Sequence, residues 1–133
     1  MTLLDKVAIG LAAENKVRVT PEMTVGHVLP GMPTVYGTPT MILHMEIAAT
    51  LAIRAYLPAG HVSVGTIVNV RHLAATPVGR TVRAIARVTG MEGKSVLFDV
   101  EAWDRDRKIG DGTHQRSVVN LAEFREAVRC GAS

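Results

Sequence analysis

The chain has 133 residues, 47% apolar and 20% charged, with a formal net charge of +3. That suits one packed domain over 1–133, and no apolar run approaches the roughly 20 residues of a membrane span. One cysteine, Cys130, excludes an internal disulfide, and the start Met1-Thr-Leu-Leu-Asp-Lys6 lacks the order of a secretory signal, so a cytoplasmic protein is expected.

Residues 1–16 form an ambiguous lead-in, and Val17–Thr20 reads as a short strand ended by Pro21. Residues 26–39 hold three prolines and read as loop. A long helix is predicted from Thr40 to Leu57, ahead of Pro58. After Gly60 the period changes to alternation. Val62, Val64, Thr66, Val68, Val70 and His72 then share one strand face. Thr81–Val88 is a second strand with Val82, Ala84, Ala86 and Val88 inward. Ser95–Trp103 is a third, with Val96, Phe98, Val100 and Ala102 inward. Lys108–Leu121 is a last strand and Ala122–Arg129 a short helix.

The predicted order is strand, loop, apolar helix and a four-strand antiparallel meander. A helix apolar nearly all round must be covered on most sides, and a curved sheet wrapped around it does this. That is the α+β hot-dog fold, a long central helix wrapped by an antiparallel sheet. Such domains usually dimerise side by side, which closes an exposed sheet edge.

Scattered basic residues and only five aromatic side chains (two Phe, two Tyr, one Trp) argue against nucleic acid, and no Cys/His spacing suits a metal. Glu46 stands out instead. It is the only acid between Glu22 and Glu92, inside the predicted apolar helix. A carboxylate in apolar surroundings is costly unless paired or protonated, and such groups serve as bases and nucleophiles. His72, on an apolar strand face, is the second candidate. A lone inward His is more often a satisfied core residue, but one facing a helix that carries an inward Glu is a candidate for proton transfer.

Thr38 is the third candidate. If Thr38 caps a helix starting at Pro39, the rise of about 1.5 Å per residue puts it about 12 Å from Glu46, too far to touch. If Thr40 is the cap, the Gly37–Pro39 loop is free to fold back. His44 lies about 200° around the helix from Glu46 and faces away. Gly65-Thr66 marks either a bulge or room for a ligand. In Gly110-Asp-Gly-Thr-His-Gln-Arg116 the glycines mark a close approach or a bulge. His114 and Arg116 share one face there, and Arg116 suits either a substrate's polar part or an ion pair. Trp103 and Phe98 are most simply packing residues, and Cys130 has no inferred role.

Three segments resemble the fluoroacetyl-CoA thioesterase family of hot-dog hydrolases: Val35–Glu46, then Gly65-Thr66 with His72–Pro77, then Gly110–Arg116. The resemblance runs from about Val17 to Phe124. It implies a Thr38–Glu46–His72 catalytic set acting on an acyl-CoA, without metal or organic cofactor. Glu46 would attack the thioester or activate water, His72 would move protons, and Thr38 would orient Glu46, which favours the folded-back loop. Gly65 and Arg116 match positions lining the same pocket. It also implies a homodimer with sites near its interface, with no nucleic acid or membrane partner. The fluoroacetyl-specific member carries phenylalanines in the loop before its threonine. Here His27–Gly37 is shorter and has none, so a different short or medium acyl group is expected.

Two rivals differ in class. A hot-dog enoyl-CoA hydratase would need an Asp/His pair near the start of the long helix, and no Asp stands there. A non-catalytic acyl-CoA binding or sensing domain would keep the pocket without needing Glu46.

Overall fold

The computed structural model describes residues 3–131; Met1 and Thr2 of the lead-in, and Ala132 and Ser133, lie outside the described residues. The chain runs β1 (Ala12–Arg18), a single-turn α1 (Val25–Val28), the long α2 (Thr38–Ile53), β2 (His61–His72), β3 (Thr81–Glu92), β4 (Ser95–Asp104), β5 (Arg107–Asn120) and α3 (Leu121–Arg129). The five strands form one antiparallel sheet in the order β1-β3-β4-β5-β2, with α2 on its inner face, as the hot-dog fold requires.

The packing follows from side-chain size. Val82, Ala84, Ala86, Val88, Val96, Phe98, Val100 and Ala102 are all buried on the sheet's inner face, as their alternation predicts. Against them α2 sets Met41, Met45, Ala48, Ala49, Ala52 and Ile53. The alanines on both sides let the helix approach closely. At Gly110 a β-carbon would lie 2.6 Å from the Met41 sulfur, so this glycine makes room for the helix. The helix is covered less completely than expected: Leu43 is 53% exposed and Ile47 is 36% exposed.

Four expectations are corrected. The first strand begins at Ala12, because only Ala13 and Val17 of β1 pack inward, too sparse an apolar signal to extend the strand from sequence. The four strands after the helix are not a meander. Only β3, β4 and β5 are, while β2 pairs with β5 and the segment 73–80 crosses to the far side. That segment is tied down by an amide of Tyr36 bonding the Thr76 carbonyl and an amide of Val19 bonding the Arg80 carbonyl. The third concerns β2 itself. The register shifts between Gly65 and Ile67, so Thr66 is an extra residue, and Ser63 and Gly65 share the inner face with Val68, Val70 and His72. Val62 and Val64 therefore face the other way. The fourth is the helix start, described next.

Candidate active site

The helix α2 starts at Thr38, with Gly37 as N-cap and Pro39 in its first turn. Proline suits that position because its missing N–H is not needed there. Neither threonine caps the helix, and the loop does not fold back toward Glu46. The Thr38 hydroxyl, free of capping, meets the Nδ1 of His72 at 2.7 Å. Eight residues of helical rise, about 12 Å, separate it from Glu46. Within one chain the Thr38 hydroxyl therefore meets His72 and not Glu46, which the sequence expected it to orient.

His72 ends β2 on the inner face, where its Nε2 is buried with no hydrogen-bond partner. Burial holds its imidazole below the usual value, with the Ala74 backbone pulling the other way, so the ring is kept neutral. A cavity of about 330 Å³ opens here, lined by Val25, Tyr36, Thr38, His72, Leu73 and Ala74 among others. The first turn of α2 borders it. A larger groove of about 430 Å³ lies on the outer sheet face. There Lys108 is ion-paired to Glu101 and Asp111. The inner cavity, with a hydroxyl, an unpartnered imidazole nitrogen and apolar walls, has the chemistry of a site.

Glu46 occupies a second cluster. Its carboxylate is about a third exposed rather than sealed in apolar surroundings, and Oε2 accepts from the Arg116 guanidinium at 3.3 Å. Arg116 is buried and also donates to the Ser63 hydroxyl and the Ser63 carbonyl, each at 2.8 Å. Its Nη1 lies 3.2 Å from Nε2 of His114, whose Nδ1 bonds the Ile67 carbonyl at 2.8 Å. This sets the His114 tautomer, with the proton on Nδ1 toward Ile67 and Nε2 accepting from Arg116. Burial pushes the His114 imidazole down, the bond to the Ile67 carbonyl opposes it, and the Arg116 charge adds to the lowering against Glu46. Burial also lowers the Arg116 guanidinium, opposed by Glu46, and it stays a cation.

Gly65 completes this cluster. A β-carbon there would come within 2.5 Å of Glu46 Oε2 and 3.3 Å of the His114 ring. The bulge next to it supplies the Ile67 carbonyl that His114 holds. Of the residues singled out in the sequence, Thr38 and His72 thus come together, and Glu46, Gly65 and Arg116 come together, while the two groups stay apart in one chain.

Sequence reasoning missed Ser63, because the bulge was needed to turn it inward. It also missed Tyr36. His44 does face away from Glu46, and its partner is the buried Tyr36, whose hydroxyl bonds the His44 Nδ1. No periodic pattern signals that pair, since Tyr36 precedes the helix. Among the described residues no group of three or more His, Cys, Asp or Glu side chains could hold a metal, and no helix is long and apolar enough to cross a membrane.

Residues 19–122 match the family described as FlK, fluoroacetyl-CoA-specific thioesterase. The fluoroacetyl-CoA thioesterase of Streptantibioticus cattleyicolor is 37% identical over an alignment 131 positions long that covers 94% of each chain. A solved structure of the fluoroacetyl-CoA thioesterase FlK is similar with a TM-score of 0.90 at 36% identity, over 97% of this chain and 100% of that one. A point variant of that thioesterase in complex with fluoroacetate and CoA gives 0.82 at 36% identity, over 89% and 99%. The chain belongs to the fluoroacetyl-CoA-specific thioesterase family and is, with it, a thioester hydrolase.

Proposed function

We propose that the protein hydrolyses a short or medium acyl-CoA to free acid and CoA, in the cytoplasm and without a metal or organic cofactor. The observation that carries this reading is the cavity holding Thr38 and His72 at the N-terminal end of α2. Thioester hydrolysis needs a nucleophile or base, a proton carrier and a stabiliser for the oxyanion. His72, neutral and fixed at Nδ1 by Thr38, serves as the proton carrier. Glu46 is the nucleophile or the base for water. The first turn of α2, with its partial positive charge, favours the oxyanion. Gly65 and Arg116 shape the carboxylate's place and contact the substrate's polar part.

The separation of the two clusters bears on assembly. One chain does not bring Glu46 to His72, so the reading requires a homodimer. The β2 edge is free for pairing, with Ile67 52% exposed and Val68 40% exposed beside Leu43 and Ile47 of α2. Pairing two copies along this edge covers those apolar residues and closes the strand. It also carries Glu46 and Arg116 of one protomer toward Thr38 and His72 of the other.

The Thr38–His72 hydrogen bond supports a second chemistry on the same substrate. Here His72 takes the Thr38 proton, Oγ1 attacks the thioester carbonyl, CoA thiolate leaves, and water releases the acid from the resulting ester. Mass spectrometry of trapped single turnovers separates the two: an acyl adduct on Thr38 selects this route. Release of free thiol from a panel of acyl-CoAs, in wild type and Glu46→Gln, tests the function itself. Turnover that collapses in the variant at matched folding supports the reading. Binding without turnover by the wild type would favour an acyl-CoA binding domain.

A further inference from the structure

We infer that Tyr36 and His44 are positioning residues for His72, a buried phenol–imidazole pair that fixes the face on which the reactive ring rests. This rests on the thioesterase reading above, and its test is separable from it. Tyr36 is 1% exposed and His44 is 7% exposed. The Tyr36 hydroxyl is hydrogen-bonded to Nδ1 of His44. Burial pushes the Tyr36 phenol up and the His44 imidazole down, which favours the neutral form of both. The two rings stack with centroids 5.7 Å apart and an interplanar angle of 13°. Tyr36 also meets the His72 ring at 6.4 Å and 83°, an edge-to-face contact.

Tyr36 thus stands between a helix residue and His72, and lies two positions before Thr38, which holds His72 at Nδ1. Its backbone is fixed too, the amide bonding the Thr76 carbonyl at 2.8 Å in the segment that follows His72. The imidazole is therefore bracketed by the Thr38 hydroxyl and the Tyr36 ring. Two apolar residues of similar shape would fill the same space without burying a hydroxyl and an imidazole. A polar pair adds direction: it holds the Tyr36 ring in one place, where a phenyl ring on an aliphatic neighbour could slide. Small displacements of a reacting group cost large factors in rate.

The test compares Tyr36→Phe, His44→Leu, His44→Asn and the double variant Tyr36→Phe/His44→Leu. Each single apolar change leaves a buried polar group unpaired and lowers both stability and rate. The double variant removes both polar groups and regains stability. If the pair positions His72, kcat in the double variant stays about tenfold low with KM within about twofold of wild type. His44→Asn, whose side-chain amide can replace Nδ1 as donor or acceptor, keeps kcat well above that of His44→Leu. Recovery of wild-type kcat in the double variant, or equal kcat in His44→Asn and His44→Leu, overturns the proposal. If the wild type hydrolyses no acyl-CoA, the thioesterase reading fails. The ring-nitrogen chemical shifts of His72 then decide this one: moved in the folded double variant they support it, unmoved they overturn it.

Discussion

The backbone at Gly65 lies so close to the carboxylate of Glu46 that a β-carbon there would come within 2.5 Å of Oε2. The obstructed atom is the end of a flexible side chain, so the carboxylate gives way and the backbone stays. Gly65→Ala is accordingly expected to fold with a stability change below about 1 kcal/mol, as for a change at an edge strand. It displaces Glu46 from Arg116, and kcat/KM should fall at least about tenfold if Glu46 is in the chemistry. Thermal melting and acyl-CoA hydrolysis measured together check this. An active Gly65→Ala enzyme would remove Glu46 from the mechanism.

Gly112 offers the contrast. Its β-carbon would run into the Asn69 carbonyl oxygen and the Val70 backbone, which belong to the paired strand β2. Backbone in a ladder cannot move aside as a carboxylate does. Gly112→Ala is expected to cost about 2 kcal/mol or more and to separate β2 from β5. A loss of melting temperature several times that of Gly65→Ala is the outcome to look for.

These two glycines show what the sequence could and could not convey. Both stand out in the sequence, Gly65 among β-branched residues and Gly112 within the Gly110–Arg116 motif. Which was a bulge neighbour and which a close approach depended on the partner strand. The inward faces of β3 and β4 were legible because alternation there is uninterrupted. On β2 one extra residue at Thr66 reverses the alternation, so Ser63 rather than Val62 or Val64 shares a face with His72. Glu46 and His72 stand out in the sequence as residue types out of place, while Thr38 before a proline reads equally as a helix cap. Their pairing was not legible, since it depends on where the helix begins, and Gly37 instead of a threonine caps it.

Arg116 is fixed by donors in several directions, to Ser63, Glu46 and His114. Lysine keeps the charge but not the planar fork. Arg116→Lys is expected to destabilise the fold by about 1–3 kcal/mol through the unmet Ser63 and His114 acceptors. The denaturant midpoint should fall with an unchanged slope.

Three imidazoles, His44, His72 and His114, are held below their ordinary value of 6.5, in each case first by burial. The unfolded chain therefore binds protons at a higher pH than the folded one. Stability is full above about 6.5 and is lost as the pH falls below it toward the depressed folded values. Urea midpoints measured from pH 8 to 5 should decline most steeply below 6.5. Replacing His114 with Gln, which keeps an acceptor and removes the titration, should flatten part of that decline.

The distance between the two clusters gives the last prediction. Thr38 holds His72 at one end of α2, and Arg116 holds Glu46 two turns along it. If each site is completed across a two-fold axis, Glu46→Gln and His72→Ala each disable both sites of their own homodimers. A heterodimer of the two variants, purified through two different tags, has one site with both lesions and one with neither. It should recover about half the wild-type turnover, as two-fold symmetry requires. A site built within one chain predicts no recovery, because every protomer then carries a lesion in its own site. The experiment thus separates assembly from chemistry: both variants are already inactive, and only the geometry of the dimer decides whether mixing restores a working pair.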